Sequence, residues 1–271
     1  MKLILYSDSL SNTLRLFSLL MVFGLVQFPA SAASNVQLGD KNSEYDMGRE
    51  FKPERFLTGG WGGYRQKLID KGILFTAKYY ATVLGNPAGG EEESIRYAGL
   101  LNVYLDFDLE RILGINNTKL VVSGAWASGR SLSDEDIGNF FTASEVFSGR
   151  GVRLYQLFLM SEFFDGELNI SLGRMAIADE FASSPIFYNY VNTAIDGHPI
   201  SLSINDQAFF SDPQSSLGAR ARWNPDDSFY VMAGVYNSNP IVADNDNRGL
   251  DFSLSKGVRL ISEAACILNP P

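Results

Sequence analysis

Residues 101–109 read Leu101-Asn102-Val103-Tyr104-Leu105-Asp106-Phe107-Asp108-Leu109, an unbroken alternation of apolar and polar side chains. In an extended strand, successive side chains point to opposite faces, so the apolar residues share one face and the polar residues share the other. The face that carries two carboxylates needs water, whereas the face with the large apolar groups needs a core or lipid. The stretch therefore predicts a strand that separates water from an apolar environment.

The same alternation recurs along the chain and predicts eight strands, with a ninth that starts near Val258. The predicted strands cover 73–84, 97–109, 118–128, 152–163, 167–173, 216–223, 228–236 and 249–255. The range 152–163 is apolar on both faces, so its faces stay unassigned, and a β-bulge that shifts the register is one explanation. The fold class that follows is all-β and antiparallel.

The predicted connections alternate in length. The long ones are 85–96, 129–151, 174–215 and 237–248, and the short ones are 110–117, 164–166 and 224–227. Outer-membrane β-barrels have short periplasmic turns and long external loops, whereas a soluble sandwich has no reason to sort its loops in this way. The alternation favours a membrane barrel, and a secreted, soluble β-sandwich that binds carbohydrate is the alternative.

The N-terminal part of the chain reads as an export signal and a leader. Residues 1–32 combine basic residues, an apolar stretch of about 15 residues and the cleavage-site pattern Ala30-Ser31-Ala32, as in a signal peptide. A flexible periplasmic leader is predicted over 33–56 and a short helix over 57–72, which Gly72 ends. Residues 73–271 are predicted to form a partial barrel.

Composition argues against several classes of function. The formal net charge of −9 disfavours nucleic acid as a partner, and Cys266, the single cysteine, cannot form an internal disulfide. The sequence contains no phosphate-binding or dinucleotide motif and no metal-ligand cluster, so no cofactor, no metal and no catalytic residue is predicted. Asp179 and Glu180 are adjacent on one loop and cannot flank a scissile glycosidic bond, and His198 is predicted to be an ordinary loop residue. An enzyme is therefore not expected.

Several motifs, in order, resemble the carbohydrate-selective porin family of bacterial outer membranes over about residues 57–268. They are Trp61-Gly62-Gly63-Tyr64-Arg65 with Leu68 and Lys71-Gly72-Ile73; Leu172-Gly173-Arg174 with Asp179-Glu180-Phe181-Ala182-Ser183-Ser184-Pro185 and Tyr190-Val191-Asn192; Gly218 to Trp223 with Asn224-Pro225; Gly234-Val235-Tyr236-Asn237-Ser238-Asn239-Pro240; and Gly249-Leu250-Asp251-Phe252.

The resemblance implies a closed barrel of about 16 strands that passes sugars down their gradient without cofactor or bond chemistry. Family members are much longer, and Ile267-Leu268-Asn269-Pro270-Pro271 does not read as a closing strand, so the chain is expected to be truncated at its C-terminus. A non-conducting truncated barrel is the second alternative. The expected partners are mono- or oligosaccharides, outer-membrane lipid and the barrel-assembly machinery, with an oligomer left open.

The candidate pore-lining residues follow from the polar strand faces and from the longest connection, 174–215, which is expected to fold inward and narrow the pore. The set comprises Lys78, Asn102, Asp106, Asp108, Arg174, Asp179, Glu180, Arg220 and Arg222. Arginine forks pair well with hydroxyl-rich solutes and carboxylates. We therefore expect Arg220, Arg222 and either Asp106 or Asp108 to form a mixed-charge constriction, although Arg220 and Arg222 could equally just balance acids in the wall.

Overall fold

The computed structural model describes residues 2–7, 52–195, 197–226, 228–255 and 257–266. Its strands are Lys2–Ser7 (β1), Ile73–Asn86 (β2), Ser94–Asp108 (β3), Thr118–Gly129 (β4), Gly151–Phe163 (β5), Leu168–Met175 (β6), Ser216–Asp226 (β7), Phe229–Asn237 (β8) and Val258–Cys266 (β9). Its α-helices are Tyr64–Asp70 (α1), Leu109–Leu113 (α2) and Ile200–Asn205 (α3). Short 3₁₀ or π turns cover Pro53–Arg55, Trp61–Gly63, Ser133–Ile137, Pro185–Asn189, Pro240–Ala243 and Asn245–Asn247.

The strands form one antiparallel sheet in the order β1-β9-β8-β7-β6-β5-β4-β3-β2. Apart from β1, every strand in the described residues pairs with its neighbour in sequence, as in an up-and-down barrel wall. Within the described ranges the sheet is open, because β2 pairs with β3 alone and β1 pairs with β9 alone. The predicted all-β antiparallel class, the short N-terminal helix and the ninth strand near Val258 are confirmed.

Seven of the eight fully predicted strands are present, and one is wrong. The range 249–255 belongs to the connection between β8 and β9 and forms no strand. The alternation of this range predicted a strand, but its backbone carbonyls accept hydrogen bonds from side chains instead of a neighbouring strand. Arg174 Nη1 donates to Asp251 O at 2.7 Å, and Asn237 Nδ2 donates to Ser253 O. The predicted loop 85–96 is also too long, since β2 and β3 extend to leave only 87–93 between them.

The two faces of the sheet differ as the alternation predicts. Long loops pack on one face, which we call the inward face; the other, the outward face, carries apolar side chains that stay exposed. Exposed residues on the outward face include Tyr79, Val83, Trp126, Val152, Leu159, Ile170, Leu172, Val231, Val235 and Leu260. Buried residues on the inward face include Asn102, Asp106, Ser123, Arg153, Ser171, Arg220, Met232, Arg259 and Glu263. A soluble sandwich buries the apolar faces of two sheets against each other, so the observed arrangement contradicts that alternative.

Exposed aromatic side chains lie near both ends of the apolar band. Tyr79 and Trp126 are level with each other, since both flank Leu101 in the register, and Tyr97 lies further towards the long loops. At the short-turn end, Phe163 and Trp223 both pair with Leu168. Membrane barrels place aromatic girdles at the two interfaces in this way.

A β-bulge resolves the faces of β5. Ser123 pairs with Gln156 and Gly124 with Leu154, which leaves Tyr155 as the extra residue. The shift lets Tyr155 and Phe158 both face inward although they are an odd number of residues apart. The bulge suggested by the doubly apolar sequence is therefore present.

Helix α1 joins the segment before it to the base of β2. The guanidinium of Arg65 lies 3.6 Å from the ring centroid of Phe56 and donates to Phe75 O at 2.9 Å. Gly72 follows α1 with φ 81°, a left-handed conformation that glycine adopts without a steric penalty and that ends the helix as predicted. Most of the predicted leader, up to residue 51, lies outside the described residues.

Strand β1 lies within the predicted signal peptide and occupies the outer edge of β9. The remainder of the predicted signal, residues 8–32, lies outside the described residues, and the signal stays a prediction. Removal of residues 1–32 would free that edge of β9 for another strand. Among the described residues, no helix has the length and apolar character needed to cross a bilayer.

The exposed apolar face generates a first prediction. Leu172, in the middle of the sheet and 61% exposed on the outward face, is expected to contact lipid. Leu172→Arg should lower the free energy of unfolding in lipid vesicles by about 2–4 kcal/mol, because a charge is forced into hydrocarbon. The measurement is urea unfolding in vesicles.

Leu254→Arg is the matched control, because Leu254 is 75% exposed but lies in the β8–β9 connection. The control should change the free energy of unfolding by no more than about 0.5 kcal/mol. Equal, small effects of the two substitutions would contradict a lipid-facing wall.

Candidate functional site

The connection between β6 and β7, residues 176–215, folds onto the inward face of the sheet; we call it the inward loop. Its side chains Ile177, Phe181 and Phe209 are buried in one cluster with Phe158 of β5 and Met232 of β8. Burial of each such side chain contributes about 1.5–3 kcal/mol. The inward face is thus partly apolar, and the inward loop covers the apolar part.

Two adjacent carboxylates attach the start of the inward loop to two different strands. Asp179 Oδ2 accepts hydrogen bonds from the Tyr155 hydroxyl and, at 2.8 Å, from Gln156 Nε2. Glu180 Oε1 accepts a hydrogen bond from Arg220 Nη2 at 2.6 Å, and Glu180 Oε2 forms an ion pair with Arg220 Nε. The β5 bulge and the inward-pointing arginine of β7 therefore fix neighbouring residues of one loop.

Further carboxylates attach the end of the inward loop. Asp206 pairs with Arg259 of β9, whose Nη1 also donates to Ala208 O at 2.8 Å. Asp212 Oδ2 accepts from Asn102 Nδ2 of β3 at 2.6 Å. The inward loop consequently spans the sheet from β3 to β9, held at intervals by side chains of the wall.

The connection between β8 and β9, residues 238–257, packs beside the inward loop and is held by two arginines. Arg153 Nη2 donates to Ala243 O at 2.7 Å, and Arg174 donates to Val242 O at 3.2 Å and Asp251 O at 2.7 Å. The backbone N–H of Ser253 donates to Asp251 Oδ1 at 2.8 Å and lowers the pKa of that carboxyl.

Two glycines provide the space for an inward aromatic. Tyr236, 1% exposed, lies beside Gly218 and Gly234, and its ring meets Phe181 edge-to-face with centroids 6.1 Å apart. A Cβ on Gly234 would lie 2.6 Å from Cε2 of Tyr236 and 3.2 Å from Cε2 of Phe181. Glycine at this position therefore allows the inward loop to approach the wall.

The predicted pore-lining residues fall into three groups, of which Asp106 and Asp108 form the third. Asn102, Arg174, Asp179, Glu180 and Arg220 hold the two long loops against the wall, as described above. Lys78 of β2 and Arg222 of β7 are half-buried on the inward face; Arg222 stacks on the Tyr230 ring at 4.2 Å and donates to Asn224 Oδ1 at 2.8 Å.

Asp106 and Asp108 do not lie where the predicted constriction needs them. Asp106 faces inward but is 1% exposed, and no described residue donates a hydrogen bond to its carboxylate. Asp108 accepts from the backbone N–H groups of Glu110 and Arg111 and so caps α2 at the short-turn end. Both lie on β3, which β4, β5 and β6 separate from Arg220 on β7. The partner of Arg220 is Glu180 instead.

Sequence reasoning missed several residues that hold the loops: Arg153, Tyr155, Arg259 and Glu263. Glu263 Oε2 accepts from the backbone N–H of Ala182 at 2.6 Å. The signal that could have found Arg259 and Glu263 is their position: both are charged residues spaced by an even number along β9, on the face whose other members are buried. Among the described residues, no group of His, Cys, Asp or Glu is arranged to hold a metal ion.

Gly234 supports a stability prediction. Gly234→Ala should destabilise the protein by about 1–3 kcal/mol, because the new methyl group displaces Tyr236 and Phe181. Urea unfolding checks this, with Ala233→Gly as a control on the outward face that cannot clash. A Gly234→Ala protein as stable as the parent would show that the inward loop does not rest on this glycine.

The Arg220–Glu180 ion pair supports a second stability prediction. Arg220 is 3% exposed, so Arg220→Ala, which leaves Glu180 without this partner, should cost about 3–5 kcal/mol in the free energy of unfolding. The double variant Arg220→Met with Glu180→Leu should lose much less, since no charge is then left behind. Additive losses in this double-mutant cycle would contradict a direct pair.

Comparison with known proteins agrees with this geometry. A family model described as carbohydrate-selective porin, OprB family, matches residues 92–267. Porin B of Pseudomonas aeruginosa is 30% identical over 215 residues, which cover 76% of this chain and 46% of that protein. A putative porin, QuiX of Acinetobacter baylyi, is 28% identical over 238 residues, which cover 82% of this chain and 53% of that protein.

A solved structure is also similar. The high-pH structure of Pseudomonas putida OprB superposes with a TM-score of 0.71 at 30% identity, over 80% of this chain and 53% of that one. The chain spans about half the length of the curated relatives it matches. An antiparallel wall with an apolar exterior, a loop folded onto its interior and a family match over most of the described strands identify the chain as a member of the carbohydrate-selective porin (OprB) family.

Proposed function

We propose that this chain forms the wall and the constriction of a sugar-selective outer-membrane channel. The observation that carries the proposal is the inward loop, held against an inward face of mixed charge while the outward face stays apolar and exposed. A barrel wall of this kind encloses water on one side and contacts lipid on the other. The names of two related proteins, Porin B and a putative porin, agree with a channel rather than an enzyme.

The mechanism is passive diffusion through a hydrated lumen. Sugar hydroxyls exchange water for donors and acceptors on the wall, and each contact must be weak enough to release the solute. Two basic side chains, Lys78 and Arg222, are half-buried on the inward side, and the Glu180 side chain is partly exposed there. All three can offer such contacts. No covalent step or cofactor is needed.

The inward loop sets the width of the passage. Its carboxylates pair with wall residues on β3, β5, β7 and β9, so it cannot move away from the wall without breaking several contacts. Among the predicted pore-lining residues, Glu180 and Arg220 form an ion pair. The charges at the constriction are thus partly neutralised, which suits neutral solutes.

The surroundings of the protein follow from the same proposal. The basic and apolar N-terminus directs export, the barrel-assembly machinery inserts the strands, and the exposed outward face contacts outer-membrane lipid. Mono- or oligosaccharides are the solutes. The location is the bacterial outer membrane.

A non-conducting wall is the second candidate function. The observation in its favour is that loops cover much of the inward face: Asn102 and Asp106 are at most 1% exposed. In this case the chain would insert into the membrane but pass no sugar.

Liposome swelling separates the two functions. Vesicles that contain the protein should swell in small sugars and progressively less in larger ones, whereas no swelling in any sugar would leave the non-conducting wall. Arg222→Ala should reduce the preference for sugars over uncharged polyethers of equal size by roughly tenfold at most, the share of one charge-assisted hydrogen bond of about 1.5 kcal/mol.

Arg111→Ala is the matched control, because Arg111 is a partly exposed arginine at the short-turn end that pairs with Asp108. The control should leave the sugar preference unchanged. A preference that is the same in Arg222→Ala and in the parent would remove Arg222 from the constriction.

A further inference from the structure

We infer that Glu263 is the positioning residue of the constriction: it fixes the inward loop through the backbone of Ala182 and steadies Arg222 through Tyr230. The inference rests on the proposed function, because the position of the loop matters to transport only if sugars pass. Glu263 belongs to β9, which β8 separates from Arg220 and Arg222 on β7, and is 1% exposed.

The Glu263 carboxylate uses its two oxygens for two different parts of the site. Oε1 accepts from the hydroxyl of Tyr230 on the adjacent strand β8, and Oε2 accepts from the backbone N–H of Ala182 at 2.6 Å. A buried carboxylate needs such donors, since burial without them is costly. The Ala182 N–H depends on the carboxylate in turn, because among the described residues it donates to no other acceptor.

Ala182 is the point at which the inward loop leaves a helical turn. Phe181 N–H donates to Ile177 O at 2.9 Å, and Ala182 then takes φ 57°, in the left-handed region. A residue in this position at the end of a helical turn usually returns its N–H to a carbonyl of the turn. Here the N–H goes to Glu263 instead, so the wall of the barrel, rather than the loop itself, ends the turn.

The contact lies next to the residues that define the constriction. Glu180 is two residues before Ala182, and Phe181 between them is fully buried against Tyr236. A shift of the Ala182 backbone must therefore move Glu180 relative to Arg220. On the other side of Glu263, the Tyr230 ring supports the Arg222 guanidinium at 4.2 Å. One carboxylate thus orients both an acidic and a basic member of the site.

Two substitutions separate this role from ordinary stability. Glu263→Leu introduces an apolar side chain of similar size and removes both acceptor oxygens. Glu263→Gln keeps one acceptor oxygen and replaces the other with an NH2 group, which faces one of the two donors. It should therefore loosen the loop less. Ala182→Gly is the matched control, since glycine keeps the N–H and adopts the same φ without strain. Circular dichroism and a melting curve show that each variant is folded.

Amide hydrogen exchange, read by mass spectrometry on peptides that cover 177–187, measures the loop directly. Exchange in Glu263→Leu should accelerate by tenfold or more, in Glu263→Gln by less, and in Ala182→Gly not at all. Liposome swelling on the same proteins should show that larger sugars enter with Glu263→Leu than with the parent. Glu263→Gln serves as the test variant if Glu263→Leu does not fold.

The outcomes distinguish the inference from the proposed function. Unchanged exchange in a folded Glu263→Leu or Glu263→Gln protein overturns the positioning role. Faster exchange with an unchanged size limit supports the contact but overturns the claim that the inward loop is the constriction. If neither the parent nor any variant admits sugar, the proposed function fails, while the exchange data still decide whether Glu263 holds the loop.

Discussion

The fold depends on one constraint: the outward side chains of the sheet have nothing packed against them. Leu172, Val152 and Leu260 are about half exposed or more, whereas long loops cover much of the opposite face. In water, such a surface would be unstable, and in lipid, each backbone N–H and C=O must be paired within the protein. The antiparallel ladder pairs these backbone groups between the two edge strands. The apolar exterior is stable when lipid, rather than water, surrounds it.

The same constraint determines what the inside can be. Apolar residues at alternate positions face lipid, so the residues between them face the interior. The interior of this sheet is packed with a loop rather than with a second sheet. Phe158 and Met232 pack against apolar side chains of that loop, whereas Arg220 and Arg259 form ion pairs with its carboxylates. Both kinds of contact come from residues at alternate positions along strands, so the wall positions the loop.

The sequence alone predicted the wall better than the site. Strict alternation located β2, β3, β4, β7 and β8 and assigned their faces, because a period of two is a local property. It failed at 249–255, where the alternation is real but the backbone partners are the distant side chains Arg174 and Asn237. It also placed Asp108 in the lumen, although the residue caps the helix that begins beside it.

The predicted constriction and the observed contacts share Arg220 but differ in its acidic partner, for a related physical reason. The expectation that 174–215 folds inward came from its length, and the inward loop fulfils it. Which residue of the loop meets which residue of the wall depends on the barrel register and on the β5 bulge, and neither can be read from spacing. Arg220 was therefore assigned to Asp106 or Asp108, whereas the loop brings Glu180 to it. Glu263 was missed because the ninth strand was predicted only by its start near Val258, without an assignment of its faces.

Charged contacts suit the inward loop better than apolar packing alone would. Apolar burial is non-directional, so the cluster around Phe181 and Phe209 would tolerate a shift of the loop along the wall. The two-oxygen contact of Glu180 with Arg220, and the contacts that Asp179 and Glu263 accept, hold only in one register. A buried ion pair adds little net stability, but breaking it is costly, so its main effect is to penalise alternative positions. In the proposed channel, a single loop position matters more than a tightly bound loop.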